Sequence, residues 1–298
     1  MRNIPVLCIA EQSLAAGYEK ALLALHEHGT RFQTQYDKPG DPPSLDCTLN
    51  LTIFDPLAEP MIHKAFPGGI EDLREYVLEV QGLKDHWVKN MDDPTDTRWE
   101  YTYHGRLARY GTWQESGKRV GPFCVNQIEA VIAKLAKQPF TRQAQMITWM
   151  PNLDLDCYDP PCLQSLWYRL LEEDGVYWLN CNIRFRSNDA WGASFMNMFG
   201  FTMFNKEIIA AGVEQRLGKP VKLGRLNWQA DSYHIYGKDI ADAKARLFDR
   251  IATTTFDERT YRFDDEMIRE LYEEADAHIR AKIAEYDRTH GGDPHGSV

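Results

Sequence analysis

The chain lacks a Cys-x-x-Cys pair and any zinc-finger spacing: its six cysteines, Cys8, Cys47, Cys124, Cys157, Cys162 and Cys181, are scattered. That argues against a clustered metal site and leaves no metal assigned. Excess positive charge is also missing, since 34 Lys and Arg stand against 44 Asp and Glu, a formal net charge of -10. A general nucleic-acid-binding surface is thereby disfavoured, although a local basic pocket for one phosphate is not. No apolar run is long enough to span a bilayer. The start carries no secretory apolar segment, so the expectation is a cytoplasmic protein with free thiols. Neither an internal repeat nor a domain linker interrupts the chain.

What is present is 298 residues, 43% of them hydrophobic. The reading is one domain over 1–298, with a core over 1–240 and C-terminal helices and a mobile tail over 241–298. Helices are expected over Ser13–His28, Ile70–Gln81, Gln127–Ala136, Ala193–Ala211, Ile240–Ala252 and Asp264–Asp287. Ser13 can cap the first and Gly29 can end it. Strands are expected over Met1–Ala10, Leu45–Phe54, Gln143–Met150, within Leu217–Gln229, and over Asp231–Tyr236. Residues 37–44 hold three prolines and a glycine and must be a loop. Strands and helices mix without steady alternation, which predicts an α+β fold with a large mixed or antiparallel sheet flanked by helices.

The densest chemistry lies between Asp159 and Asn197. Cys162 follows two prolines. Two apolar runs flank an acidic turn, Glu172-Glu173-Asp174-Gly175, and lead to Arg184-Phe185-Arg186-Ser187-Asn188-Asp189. This reads as strand, turn, strand, then a polar cluster opening a helix. The end of the second strand offers a guanidinium, a hydroxyl, an amide and a carboxylate within four residues. Arg with Ser suits a phosphate, because the guanidinium is a planar fork of donors and the hydroxyl adds one more.

Pro160-Pro161-Cys162, then Arg186-Ser187-x-Asp189, then Asn197 eight residues on, resembles the core signature of the thymidylate synthase superfamily. Three further pieces appear in family order. Glu75 with Gly82 seven residues later resembles its catalytic-glutamate helix, and Arg142 seven residues before Trp149 resembles its arginine strand. Asp231-Ser232-Tyr233-His234-Ile235-Tyr236 is similar to its Asp-x-x-His-x-Tyr motif. The flanking text marks a divergent branch. Lys38 stands where the family usually has Arg, Gln143 where it often has a second Arg, and Leu163 where the best-known members have His.

The resemblance implies a homodimer that stacks its sheets back to back, and a covalent mechanism at C5 of a pyrimidine nucleoside monophosphate. A thiolate from Cys162 adds at C6 and makes C5 nucleophilic. It implies that Glu75 relays protons and that Tyr103 is the active-site tyrosine. Lys38, Arg186 and Ser187 would hold the phosphate, with Arg142 reaching the partner's phosphate. Asn197 would bond the base edge, and His234 and Tyr236 the sugar hydroxyl. Asp189 would bind the pterin of 5,10-methylenetetrahydrofolate or a related modified pterin. Beside each role stands a plainer one: Cys162 as a small buried hydrophobe, Glu75 as a solvated helix carboxylate, Tyr103 as core packing, Asp189 as a helix N-cap. Two reactions fit the pattern, dUMP to dTMP, or hydroxymethylation of dCMP or CMP with water in place of hydride. A nucleotide-binding protein without turnover is the third reading.

Overall fold

In the computed structural model, residues 3–90, 92–115 and 118–290 are described; the tail expected to be mobile lies outside them from residue 291. In chain order the elements are β1 (Val6–Glu11), α1 (Leu14–His28), β2 (Thr30–Phe32), β3 (Ser44–Ile53), β4 (Ile62–His63), α2 (Ile70–Val80), α3 (Tyr103–Ala108), β5 (Trp113–Glu115), β6 (Lys118–Val120), α4 (Gln127–Lys137), β7 (Ala144–Ile147), α5 (Pro151–Asp154), β8 (Leu163–Glu173), β9 (Val176–Phe185), β10 (Asn188–Asp189), α6 (Ser194–Phe204), α7 (Ala211–Leu217), β11 (Val221–Ile235), α8 (Ile240–Ala243), β12 (Thr260–Tyr261) and α9 (Glu266–His290).

The main sheet has eight strands and runs β1-β3-β11-β9-β8-β7, with β2 on β3 and β10 on β11. Pairs β1/β3 and β9/β11 are parallel, whereas β3/β11, β8/β9 and β7/β8 are antiparallel. The sheet is therefore mixed and flanked by helices, as the sequence predicts. Alternation decides which face is covered. Leu166 and Tyr168 of β8, Cys181 and Ile183 of β9, and Leu226 and Trp228 of β11 are buried. They share one core with Leu14, Tyr18 and Leu22 of α1 and Phe195, Phe199 and Phe201 of α6. On the opposite face Ile147, Leu171 and Val6 are exposed, beside Trp167, Trp178, Asn180 and Asn182. The β8–β9 hairpin turns on Asp174 and Gly175, with φ of 51° and 79°, the two left-handed residues that a two-residue hairpin turn requires.

Several element boundaries differ from expectation for identifiable reasons. The two strands expected over 217–229 and 231–236 are one strand, β11, because β9 and then β10 pair along its length. A bulge between Ala230 and Tyr233 opposite β3 absorbs the mismatch. The strand expected over Gln143–Met150 ends at Ile147, since Met150 is the N-cap of α5 and Pro151 is its first residue. The helix expected over Ala193–Ala211 widens into a π-turn over Asn205–Ala210 and continues through α7. That over Ile240–Ala252 likewise becomes a π-turn, over Lys244–Phe248. The N-terminal strand begins at Val6. Tyr103 opens a helix, α3, capped by Thr102. The charged helix α9 buries Ile268, Tyr272, Ala275, Ile279 and Ile283 and holds Arg74 of α2 through Asp276 at 2.5 Å. No helix among the described residues is long and apolar enough to cross a membrane.

One carboxylate ties the two ends of the chain. Glu19 of α1 accepts a bidentate pair from Arg259, at 2.8 and 3.0 Å, and a bond at 2.9 Å from His63 Nε2. The His63 Nδ1 accepts from Ala65 N, so Nε2 carries the hydrogen. Burial alone would raise the Glu19 pKa, but these donors hold it down at about 2. A depressed carboxyl stabilises the fold fully above its ordinary value and loses that contribution as pH falls through the folded value. The wild type is therefore expected to exceed Glu19→Gln in unfolding free energy by on the order of 3 kcal/mol at pH 6. Urea titrations should show this gap shrinking from pH 4.5 toward pH 2; a gap independent of pH contradicts the assignment.

Candidate active site

Cys162 sits at the mouth of β8, and its placement is set by Arg186 at the end of β9. The Arg186 backbone N–H donates to the Cys162 carbonyl at 2.8 Å, and its own carbonyl accepts from Ser232 N at 3.2 Å. Its guanidinium donates from Nε to the Pro161 carbonyl at 3.1 Å and from Nη2 to the Pro160 carbonyl. The two prolines supply no N–H of their own, Gln164 Nε2 also donates to the Pro161 carbonyl at 2.8 Å, and the guanidinium fork fixes the turn that presents the thiol. Burial pushes the thiol above its usual pKa; Arg186 lowers it, and Asp159 and Asp189 raise it. Ser187 follows Arg186, and its hydroxyl has no hydrogen-bond partner among the described residues.

The motif on β11 reaches the same place. Its bulge turns Ser232 inward, where Oγ bonds Asp46 Oδ2 and lies 3.1 Å from His234 Nδ1. Burial pushes Asp46 up to about 6, so at neutral pH it is a carboxylate that takes the Ser232 hydrogen. Ser232 Oγ then accepts from Nδ1–H of His234, leaving Nε2 as an acceptor. That Nε2 is buried without a partner, in a residue only 5% exposed. Burial lowers the His234 pKa to about 4, so the ring is neutral. The Tyr236 ring stands 4.7 Å from that of His234, and Tyr36 meets Tyr236 edge-on at 6.2 Å and Tyr158 at 6.0 Å. Tyr36 leads into the proline-rich loop of Lys38. Gly237 N donates to Ser44 Oγ, which donates to Asp37, so the loop is pinned against this motif. The Lys38 side chain is exposed and bonds none of the other residues named here.

Asp189 is not the cap of α6, whose N-cap is Ala193. Its Oδ1 instead accepts from Trp191 N and Gly192 N, at 3.1 and 2.9 Å. Its Oδ2 is uncommitted, and burial raises its pKa. Asn197, 7% exposed, takes part in a buried chain: Trp228 Nε1 donates to Asn188 Oδ1, Asn188 Nδ2 to Asn197 Oδ1, and Asn197 Nδ2 to Tyr76 Oη. Tyr103 is partly buried against the core, with ring contacts to Tyr101, Phe185 and Phe201. Glu75 accepts from Lys84 Nζ at 2.5 Å, and Glu79 lies 3.6 Å from the same nitrogen. Lys84 is 4% exposed and lies over the rings of Trp87 and Trp99. Arg142 is exposed before the edge strand β7, and its carbonyl accepts from Trp167 on the open sheet face.

Arg186, Ser187, Asp189, His234 and Tyr236 thus come from the strand ends that converge on Cys162, and Lys38 lies on the loop pinned to them, whereas Arg142 precedes Ala144, which pairs with Tyr168, and so stands at the far end of β8 from Cys162 within one chain. Tyr76, Asn188, Ser232, Asp46 and Lys84 escape sequence reasoning. In sequence Tyr76 stands with Leu73, Val77 and Val80 on the apolar face of its helix, which carries no sign of a hydrogen-bonding role. Ser232 lay within a recognised motif without a role.

The family model for thymidylate synthase matches residues 77–282. A putative thymidylate synthase of Methanocaldococcus jannaschii is 26% identical over 239 residues, covering 78% of this chain and 91% of that protein. One of Methanopyrus kandleri is 29% identical over 165 residues, 54% of this chain and 68% of that protein. Thermostable thymidylate synthase A from Bacillus subtilis superposes with a TM-score of 0.56 at 17% identity, covering 80% of this chain and 84% of that one.

The thiol's surroundings set its reactivity. With burial holding the pKa up, little thiolate exists at neutral pH in the free chain. Alkylation of Cys162 by iodoacetamide, followed on its own peptide, is expected to accelerate roughly tenfold per pH unit between pH 7 and 8.5. A rate already level by pH 7.5 contradicts that electrostatic balance.

Proposed function

The chain belongs to the thymidylate synthase family, and from that premise we propose that it transfers a one-carbon unit to C5 of a pyrimidine nucleoside monophosphate, with dUMP as substrate and dTMP as product. The observation that carries this reading is the Arg186 clamp, which fixes the Cys162 turn and, through its carbonyl, Ser232 on the strand that carries a His234 Nε2 without a partner. A thiol, a donor fork and a buried acceptor for a hydroxyl are what a nucleotide adduct needs at C6, phosphate and sugar respectively.

In this mechanism the Nη1 side of the Arg186 guanidinium, which the proline carbonyls leave free, and Ser187 bind the phosphate, with Lys38 closing from its loop and Arg142 entering from a second copy. The sugar hydroxyl donates to His234 Nε2, beside Tyr236. The phosphate-bound guanidinium lies close enough to Cys162 to lower its pKa. The thiolate adds to C6, and the electron pair moves to C5. After transfer, loss of the C5 proton releases the one-carbon unit from its carrier, and hydride added to that carbon returns an electron pair to the C5–C6 bond as the C6–S bond breaks, restoring the ring and the thiolate. Glu75 serves the proton transfers through water. Lys84 engages one of its oxygens and leaves the other. Tyr103 packs behind the thiol. Methylenetetrahydrofolate, or a related modified pterin, supplies the one-carbon unit and, for methylation, the hydride. The fit to it rests on Asp189, whose uncommitted Oδ2 can accept from a pterin N–H.

A homodimer belongs to the same reading. The open sheet face, with Trp167, Trp178 and Leu171, is broad and part apolar, as a self-complementary interface requires. In this reading Arg142, at its margin, crosses it. The hydroxymethylating alternative draws on Leu163, wholly buried and apolar, which leaves fewer polar groups near position 4 of the base.

Product mass analysis with methylenetetrahydrofolate and, separately, dUMP, dCMP and CMP distinguishes the outcomes. Methylated dUMP with dihydrofolate is expected. A hydroxymethyl cytosine nucleotide with tetrahydrofolate supports the alternative. Cys162→Ala should reduce tritium release from C5 to background while retaining nucleotide binding; unchanged release sinks the role of Cys162.

A further inference from the structure

We propose that Tyr76 reads position 4 of the pyrimidine, as the donor end of a one-way hydrogen-bond chain from Trp228 that makes the site select a 4-oxo base over a 4-amino base. This rests on the nucleotide reading above and extends it to a residue and a selection rule.

The direction of the chain follows from its first member. An indole Nε1 can only donate, and Trp228 is completely buried, so no water can take its hydrogen. Asn188 must therefore turn Oδ1 toward it, at 3.2 Å. That leaves Asn188 Nδ2 to donate to Asn197 Oδ1 at 3.0 Å. The Asn197 amide is thereby fixed too, and its Nδ2 donates to Tyr76 Oη at 2.6 Å. Reversing either amide would set two donors against each other in a buried site. Tyr76 Oη accepts, so its own hydrogen points elsewhere, and no acceptor among the described residues takes it.

The end of this chain lies within the electrostatic reach of the thiol, since Cys162 acts on both Tyr76 and Tyr103. Asn197 and Phe201 lie one turn apart on α6, and the Phe201 ring stands 6.1 Å from Tyr103. Tyr76 lies on Gly200 of α6, where a Cβ would stand 2.5 Å from the ring's Cδ1; only glycine admits the tyrosine so close. Burial, then the charge of Glu79, raises the Tyr76 pKa well above its ordinary value, and Cys162 contributes in the same direction. The phenol thus remains a donor at neutral pH. Beyond Cys162, Leu163 offers no polar group.

What remains to meet a base is the Tyr76 hydroxyl hydrogen and the second N–H of Asn197. Both are donors. The exocyclic oxygen of uracil accepts them. The amino group of cytosine presents hydrogens to hydrogens and leaves buried donors unpaired, which a site of this kind rejects strongly. Tyr76 is the specificity residue, and Asn188 and Trp228 are positioning residues.

The test is the ratio of kcat/KM for tritium release from C5-labelled dUMP and dCMP, measured with methylenetetrahydrofolate on wild type, Tyr76→Phe and Asn188→Asp, with thermal unfolding as the folding check. Tyr76→Phe is expected to lower the dUMP/dCMP ratio by at least about tenfold. Asn188→Asp puts an acceptor against Asn197, reverses its amide and draws the Tyr76 hydrogen inward. It should lower the ratio further and favour dCMP. The two variants are independent, so a misfolded Tyr76→Phe leaves the Asn188→Asp ratio decisive. A folded variant with the wild-type ratio overturns the inference while the nucleotide reading stands. A wild type that releases tritium from neither base overturns both.

Discussion

The guanidinium of Arg186 on the carbonyls of Pro160 and Pro161 is the contact on which the site depends. A turn containing two consecutive prolines cannot be held by its own N–H groups, and without an outside donor it would leave Cys162 poorly fixed. Arg186 supplies that donor from the neighbouring strand, and its backbone ties Cys162 to Ser232 on β11. Three strand ends converge on one residue. The same cation is the strongest influence lowering the thiol's pKa, so placement and reactivity have a common origin.

Around this clamp the protein arranges polar groups in two buried lines. One runs from Asp46 through Ser232 to His234, the other from Trp228 through two asparagines to Tyr76. Each begins at a group whose donor or acceptor character is fixed, a carboxylate or an indole, and ends at a group with hydrogen-bonding capacity left over, His234 Nε2 in the one and the Tyr76 hydroxyl hydrogen in the other. Such lines are costly if any member is unpaired and directional when all are paired. They give the site one orientation of imidazole and one of amide before a substrate arrives, so less ordering is required on binding.

Much of this was legible in the sequence. The Pro-Pro-Cys turn, the Arg-Ser-x-Asp cluster and the His-x-Tyr pair carry local spacing, and strands and helices mixing without steady alternation mark the mixed or antiparallel sheet. Its strand order was not legible, because pairing of β11 with β3 and β9 joins segments more than forty residues apart. The bulge at Asp231 and Ser232 split one strand into two apparent ones. Tyr76 shows why other site residues escape. On the helix it counts as one more aromatic on an apolar stripe, and only contact with Gly200 and Asn197 makes its hydroxyl meaningful. Lys84 has no periodic or motif signature, yet it is buried between carboxylates and two indoles.

The central claim is that Cys162 attacks C6 of a pyrimidine nucleotide within this clamp. Intact-protein and peptide mass spectrometry after incubation with 5-fluoro-dUMP and methylenetetrahydrofolate tests it directly, because fluorine at C5 cannot leave as a proton and the adduct is trapped. The account predicts a gain of one nucleotide plus one folate per chain, confined to the peptide of Cys162. A chain that gains no mass, or gains it equally in Cys162→Ala, would contradict it.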